Sequence, residues 1–224
     1  TRVQDVTAIG SFVVKHRGFI AAGGSDGGIT LFEILPDGLL REVTTYVDGF
    51  DTALDNITAI EAHVFNGEVQ LFVASGNEHG ITQLKIDTTN FGSVYRGFNA
   101  ADVIHGSGLD NLLSGGRNAD SLYGGYGDDV LLDGKGSASM TGGPGADVFV
   151  FVDDWMSDTI EDFEPGIDRI DISDWDMIYR VEDLTISQKS WGAEITFGKH
   201  TILLHTEDGS SMSAADFSAD DFVF

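Results

Sequence analysis

Asp102, Asn111, Asp120, Asp129 and Asp147 fall on one nine-residue spacing, and Ala138 takes the single beat that carries no side-chain oxygen. Counted with Gly97 as position one, the chain reads GFNAADVIH, GSGLDNLLS, GGRNADSLY, GGYGDDVLL, DGKGSASMT and GGPGADVFV. Position six is the oxygen-bearing column. Position eight is an apolar column of Ile104, Leu113, Leu122, Leu131, Met140 and Phe149. Regularly spaced carboxylates set among glycines suit a hard cation held by oxygen. The chain has no cysteine and its six histidines are scattered, so the thiolate and imidazole chemistry of zinc or copper has no ligands here. A flexible Gly-rich linker has no reason to place an apolar residue at every ninth position.

These units resemble the RTX family, whose repeat is GGxGxDxUx with U a large apolar residue, a calcium-binding β-roll pattern. In such a roll positions one to six make a turn, where glycine accepts positive φ. Positions seven to nine make a short strand with position eight inward. Two units form one coil, so residues 18 apart stack about 4.8 Å apart. Carboxylates stacked at that spacing repel by ~3 kcal/mol at an effective dielectric of about 20. Calcium relieves this with six to eight oxygen ligands, and Mg²⁺ fits less well because it demands a tighter octahedron.

The resemblance implies ions between turns two units apart. One pairs Asp129 with Asp147 and uses carbonyls near Gly125, Gly127, Gly143 and Gly145. A second pairs Asn111 with Asp129. A third pairs Asp120 with Ala138, with Gly116, Asn118, Gly134 and Gly136 in its turns, and is one carboxylate short. A fourth pairs Asp102 with Asp120, where Phe98 and Ala100 depart from the repeat. Two to four ions are expected, and a roll that is disordered until calcium orders it.

The segment DTIEDFEPGIDRIDIS (158–173) resembles the stretch that follows the repeats in serralysin-type proteases, and makes Asp158 and Asp162 candidates for one more calcium site. The runs 184–197 and 200–205 alternate as strands around a Gly198-Lys199 turn, and in the family such strands cap the roll. Trp191, Phe197 and Ile202 read as core. The ending DFVF resembles the C-terminus of type I secretion substrates. This implies export through an ABC transporter of a Gram-negative bacterium, unfolded and with an uncleaved signal, to the outside or the cell surface.

Charge agrees with cation binding. The chain of 224 residues has 37 acidic and 12 basic residues, a net charge of −25, and 25 of the acids follow residue 96. That excludes nucleic acid and anionic membrane surfaces as partners. No apolar run reaches the length of a membrane span.

The front of the chain carries a longer repeat. FIAAGGSDGGITLFEI (19–34) matches LFVASGNEHGITQLKI (71–86) at a spacing of 52. Each unit reads as short strands around Gly turns, and FIAAGGSDGGITLFEILPDGLL resembles a blade of the seven-bladed lactonase-like propellers. Two blades cannot close a propeller, so further blades are expected from a longer precursor or a second chain. The alternative is a free-standing β-domain whose two repeats pack face to face.

The expected architecture is all-β: two four-stranded propeller-like blades at 1–96, a parallel RTX β-roll at 97–152 and a β-rich cap with the secretion signal at 153–224. No catalytic set emerges. The zinc-protease motif H-E-x-x-H is absent, GGSDGG (23–28) does not sit in a strand-to-helix elbow, and His79 beside Glu78 is at most a mouth-lining loop residue. The expected function is a secreted calcium-binding protein whose blades form a binding platform. The alternatives are the C-terminal part of a secreted propeller hydrolase, or a surface-layer or adhesion component.

Overall fold

The computed structural model describes residues 5–25 and 27–224. Residues 1–4 of the expected first blade and Asp26 of GGSDGG lie outside the described residues. The chain divides into a front unit, residues 1–90, and a second unit, residues 91–224.

In the front unit the alternating strands form two antiparallel sheets. The first runs β1 (Val6–Val14), β2 (Arg17–Gly24), β3 (Gly28–Ile34) and β4 (Leu40–Val47). The second runs β5 (Ile57–Phe65), β6 (Glu68–Ser75) and β7 (Ile81–Ile86). Both open with a two-residue hairpin in which each turn residue has positive φ: Lys15-His16 at 49° and 68°, Asn66-Gly67 at 52° and 82°. That turn matches the twist of paired strands. Phe12, Phe19, Ile29, Leu31, Ile57, Val69, Leu71 and Val73 supply the core. The sheets approach closely, since a Cβ on Gly23 would lie 2.5 Å from Ile57 Cδ1. Beneath the first sheet, the buried Glu33 carboxylate accepts from Arg17 and from Arg41 Nη2, the latter at 2.9 Å.

The second unit is a two-sided parallel roll. One sheet contains β8 (Phe91–Arg96), β10 (Asp110–Ser114), β12 (Val130–Leu132), β14 (Val148–Val150), β16 (Arg169–Asp171) and β20 (Phe222–Val223). The other contains β9 (Val103–Ser107), β11 (Ser121–Gly125), β13 (Ser139–Thr141) and β15 (Ser157–Ile160). It continues through the cap strands β19 (His200–His205), β18 (Gly192–Phe197) and β17 (Thr185–Lys189). Partners stand 18 apart as expected: Ile104 with Leu122, Leu113 with Leu131, Leu122 with Met140, Leu131 with Phe149. Leu113, Leu122, Leu131, Met140 and Phe149 are fully buried, and the core continues through Ile160, Phe163, Ile170, Ile202 and Phe222.

Two expectations are corrected. The second front sheet has three strands, not four, because β8 pairs in parallel with β10 and belongs to the roll. Tyr95 stands beside Leu113 and packs on the roll core, so the nine-residue frame reaches one unit further back than residue 97. Position one of that unit is Thr88 rather than glycine, which hides the frame. In the cap, Ile202 is core and Phe197 packs against it, but Trp191 sits at the β17–β18 turn with its ring edge-on to His205.

Candidate metal centre

Four successive turns share one backbone shape. Positions two and four have positive φ in each: Gly116 and Asn118 at 91° and 77°, Gly125 and Gly127 at 116° and 111°, Gly134 and Gly136 at 82° and 137°, Gly143 and Gly145 at 92° and 156°. These eight are the residues expected to lend carbonyls. The oxygens of Gly116, Asn118, Gly125 and Gly127 face the next coil closely. A Cβ on Gly143 would lie 2.0 Å from Gly125 O, and one on Gly145 2.0 Å from Gly127 O. Only glycine tolerates that approach at these angles. The two leading turns place Phe98, Ala100, Ser107 and Leu109 at the same positions, and none has positive φ.

The position-six side chains form a ladder. The Asn111 N–H donates to Asp129 Oδ1 at 2.7 Å, Asp129 N–H to Asp147 Oδ1 at 2.8 Å, and Asp102 N–H to Asp120 Oδ1 at 2.8 Å. The rung from Asp120 is missing, because Ala138 has no acceptor to offer. Each carboxylate therefore spends one oxygen on the neighbouring turn. The other oxygen, Oδ2 of Asp120, Asp129 and Asp147, is buried and accepts no hydrogen bond. An unsatisfied buried carboxylate oxygen is costly.

The electrostatics are equally one-sided. Burial, and then neighbouring acids, push Asp129 up to about 6 and Asp147 up to about 8. Burial first also raises Asp120. Among the described residues no Lys or Arg forms an ion pair with any of them. No group of three His, Cys, Asp or Glu side chains converges as a metal cage among the described residues. The donors are instead one or two carboxylates per layer and main-chain carbonyls. That all-oxygen set, with orphaned oxygens and carbonyl-lined glycine turns, fits calcium.

The ladder continues past the repeats. The Ala138 N–H donates to Asp158 Oδ1 at 2.8 Å, so Asp158 extends the column of Asp102 and Asp120. Asp147 N–H donates to Asp168 Oδ1 at 3.0 Å, so Asp168 extends the column of Asn111, Asp129 and Asp147. Asp162 caps the Gly142 and Gly143 N–H groups with both oxygens. Asp158 and Asp162, expected to share a site, thus serve opposite edges of the roll. Asp158 and Asp168 are each pushed up to about 7, by burial before all else. Sequence reasoning missed Asp168 as a ladder residue because the spacing opens from 18 to 21 after Asp147.

The family description "Peptidase M10 serralysin C terminal" matches residues 88–220, more than half of the chain. The chain belongs to this family. As a serralysin C-terminal region it starts at Thr88, which agrees with β8 as the first roll strand. The extracellular lipase LipA from Serratia marcescens shares the fold, with a TM-score of 0.51 at 16% identity over 89% of this chain. This chain spans 30% of that lipase. The AlgE6R3 subunit of the Azotobacter vinelandii mannuronan C5-epimerase aligns at 27% identity over 56% of this chain and 79% of its own, with a TM-score of 0.42. No curated protein matches the chain. No helix among the described residues is long and apolar enough to cross a membrane.

Proposed function

We propose that this chain is the calcium-binding β-roll portion of a secreted protein, folding when it meets extracellular calcium. The orphaned Oδ2 atoms of Asp120, Asp129 and Asp147 carry the reading. In the chain's own chemistry, Oδ1 of each carboxylate fixes the register of two turns and Oδ2 is left buried without a partner beside the position-one glycine of its turn. Gly125 and Gly127 turn their carbonyls toward Gly143 and Gly145 in the same layer. When bound there, calcium supplies the positive charge that lets stacked carboxylates stay ionised inside the roll. Asp129 and Asp147 form the best-provided site. Asn111 with Asp129 offers a neutral oxygen in place of one charge, and the turns at Gly97 and Gly106 lack the left-handed pair that turns carbonyls inward.

The C-terminal residues Asp221–Phe224 act as a type I export signal, read by an ABC exporter in a Gram-negative cell before the chain folds. In the front unit, the two repeats act as propeller-like blades and a binding platform. Far-UV circular dichroism tests the folding claim. The chain is expected to lose much of its strand signal in excess chelator and to regain it with millimolar calcium. A strand signal unchanged by chelator contradicts the reading.

A further inference from the structure

Of the six repeats, the one turn with no side-chain oxygen at position six is also the one without a position-one glycine. The regular turns explain why. A Cβ on Gly97 would lie 2.8 Å from Asp102 Oδ2, one on Gly115 2.7 Å from Asp120 Oδ2, one on Gly124 2.3 Å from Asp129 Oδ2, and one on Gly142 2.2 Å from Asp147 Oδ2. Four times over, the position-six carboxylate crowds the space that a position-one side chain would need, and at Gly97, Gly115 and Gly124 a main-chain carbonyl of the next coil crowds it too, at 2.0, 2.5 and 2.6 Å. A position-one side chain and a position-six carboxylate therefore compete for one space. In DGKGSASMT the exchange is complete: Asp133 stands at position one and Ala138 at position six.

We propose that Asp133 supplies the carboxylate absent at Ala138 and, with Asp158, binds a calcium ion between its turn and the coil that follows. The proposal rests on the calcium reading of the roll. Asp133 is 1% exposed; its Oδ1 accepts from Gly134 N–H at 2.5 Å and Val152 N–H at 3.1 Å, and its Oδ2 shares the Val152 N–H at 3.3 Å. The carboxylate is therefore directed at the following coil. Asp158, 3% exposed, meets the same turn from that coil. Its Oδ1 accepts from Ala138 N–H, and among the described residues no hydrogen bond reaches its Oδ2. Gly134 and Gly136 keep the alternating left-handed backbone of the carbonyl-lending turns. Asp154 adds charge beside the turn, and its two oxygens take the Gly136 and Met156 N–H groups. Asp154 and Asp158 set negative charge beside Asp133, and no Lys or Arg among the described residues forms an ion pair with any of the three.

The layer below is left as it was. Asp120 Oδ2 and the main-chain carbonyl of Asp133 both flank Gly115, 2.7 and 2.5 Å from the point its Cβ would take. Asp133 thus gives backbone oxygen to one layer and its carboxylate to the next.

Calcium stoichiometry, measured by isothermal titration calorimetry on the full chelator-stripped chain, tests this. Asp133→Gly and the isosteric Asp133→Asn are each expected to lose one ion from the wild-type count. Asp133→Gly combined with Ala138→Asp moves the carboxylate to position six and is expected to regain it. Ala138→Asp alone crowds two side chains into one space and is expected to gain no ion and to bind calcium more weakly. Asp147→Asn is the control for the roll itself. If it loses an ion while both Asp133 variants keep the wild-type count, the Asp133 assignment is wrong and the calcium reading stands. If the wild-type chain takes up no calcium, both fall.

Discussion

Asp147 concentrates the energetics of the site in one side chain. It is fully buried, one oxygen holds the Asp129 N–H, the other holds nothing, and Asp168 and Asp129 stand nearby. Replacing it by Asn keeps the shape and removes the charge. Asp147→Asn is expected to weaken calcium binding by roughly tenfold or more, because affinity at such sites follows the number of charged ligands. Calorimetric titration reads the change. Glu33 shows the opposite case, a buried carboxylate that needs no metal. Burial alone would push it up, but the hydrogen bonds and charges of Arg17 and Arg41 outweigh this and hold it below its ordinary value. A carboxylate held low in the folded state adds stability that is complete above its unfolded pKa and is lost as pH falls through the folded value. The front unit is expected to keep its melting temperature from pH 7 to about pH 5 and to lose it below about pH 4. Glu33→Gln strands buried guanidinium charge, so it is expected to cost ~3–5 kcal/mol at pH 7 and to flatten that profile. Thermal melts across the pH series check both.

At the level of elements, the strands of the roll sheet from β8 to β20 are only two to six residues long, and through the repeats each is held by neighbours 18 residues away rather than by its own length. Position eight is what makes them a core. Phe149→Ala is expected to destabilise the calcium-loaded roll by ~3–5 kcal/mol, measured by denaturant unfolding in saturating calcium. The turns and position-eight strands were legible because glycine, aspartate and one apolar column recur in strict phase. What the phase did not display was the exchange at Asp133. A rule that reads position six alone sees a lost carboxylate at Ala138, and the compensating one appears only once the shared space of positions one and six is known. A second pattern was equally present and unread. In the second, fourth and sixth units positions seven and nine are apolar except at Ser114, and Leu112, Val130, Leu132, Val148 and Val150 on that sheet are buried, whereas His105 and Tyr123 on the other stack their rings at 4.7 Å on a more open face. The two faces of the roll are therefore chemically different.

For the molecule as a whole, the chain end is part of the architecture. Phe222 and Val223 form β20, which pairs in parallel with β16 and closes one roll sheet. Asp221, almost fully buried, accepts from Gly166 N–H at 2.7 Å and from Ser218 N–H at 2.6 Å. Removing residues 222–224 uncovers the edge of β16 and takes Phe222 from the core. The truncated chain is expected to melt several degrees lower in calcium and to self-associate, read by calorimetry and light scattering. From sequence, this ending carried only its resemblance to an export signal, because a two-residue strand has no periodicity to display. The division of the chain was blurred for a related reason. Phe91–Arg96 carries neither a position-one glycine nor a position-six carboxylate to mark it, and its membership of the roll rests on a partner 18 residues later.

The central claim is that buried, unpaired carboxylate oxygens in stacked turns are completed by calcium. One calorimetric titration of calcium into the chelator-stripped chain tests it most directly. Roughly two to four ions are expected to bind per chain, with a heat of folding superposed on the heat of binding. A titration with no saturable uptake, or uptake with no accompanying gain of structure, would contradict it.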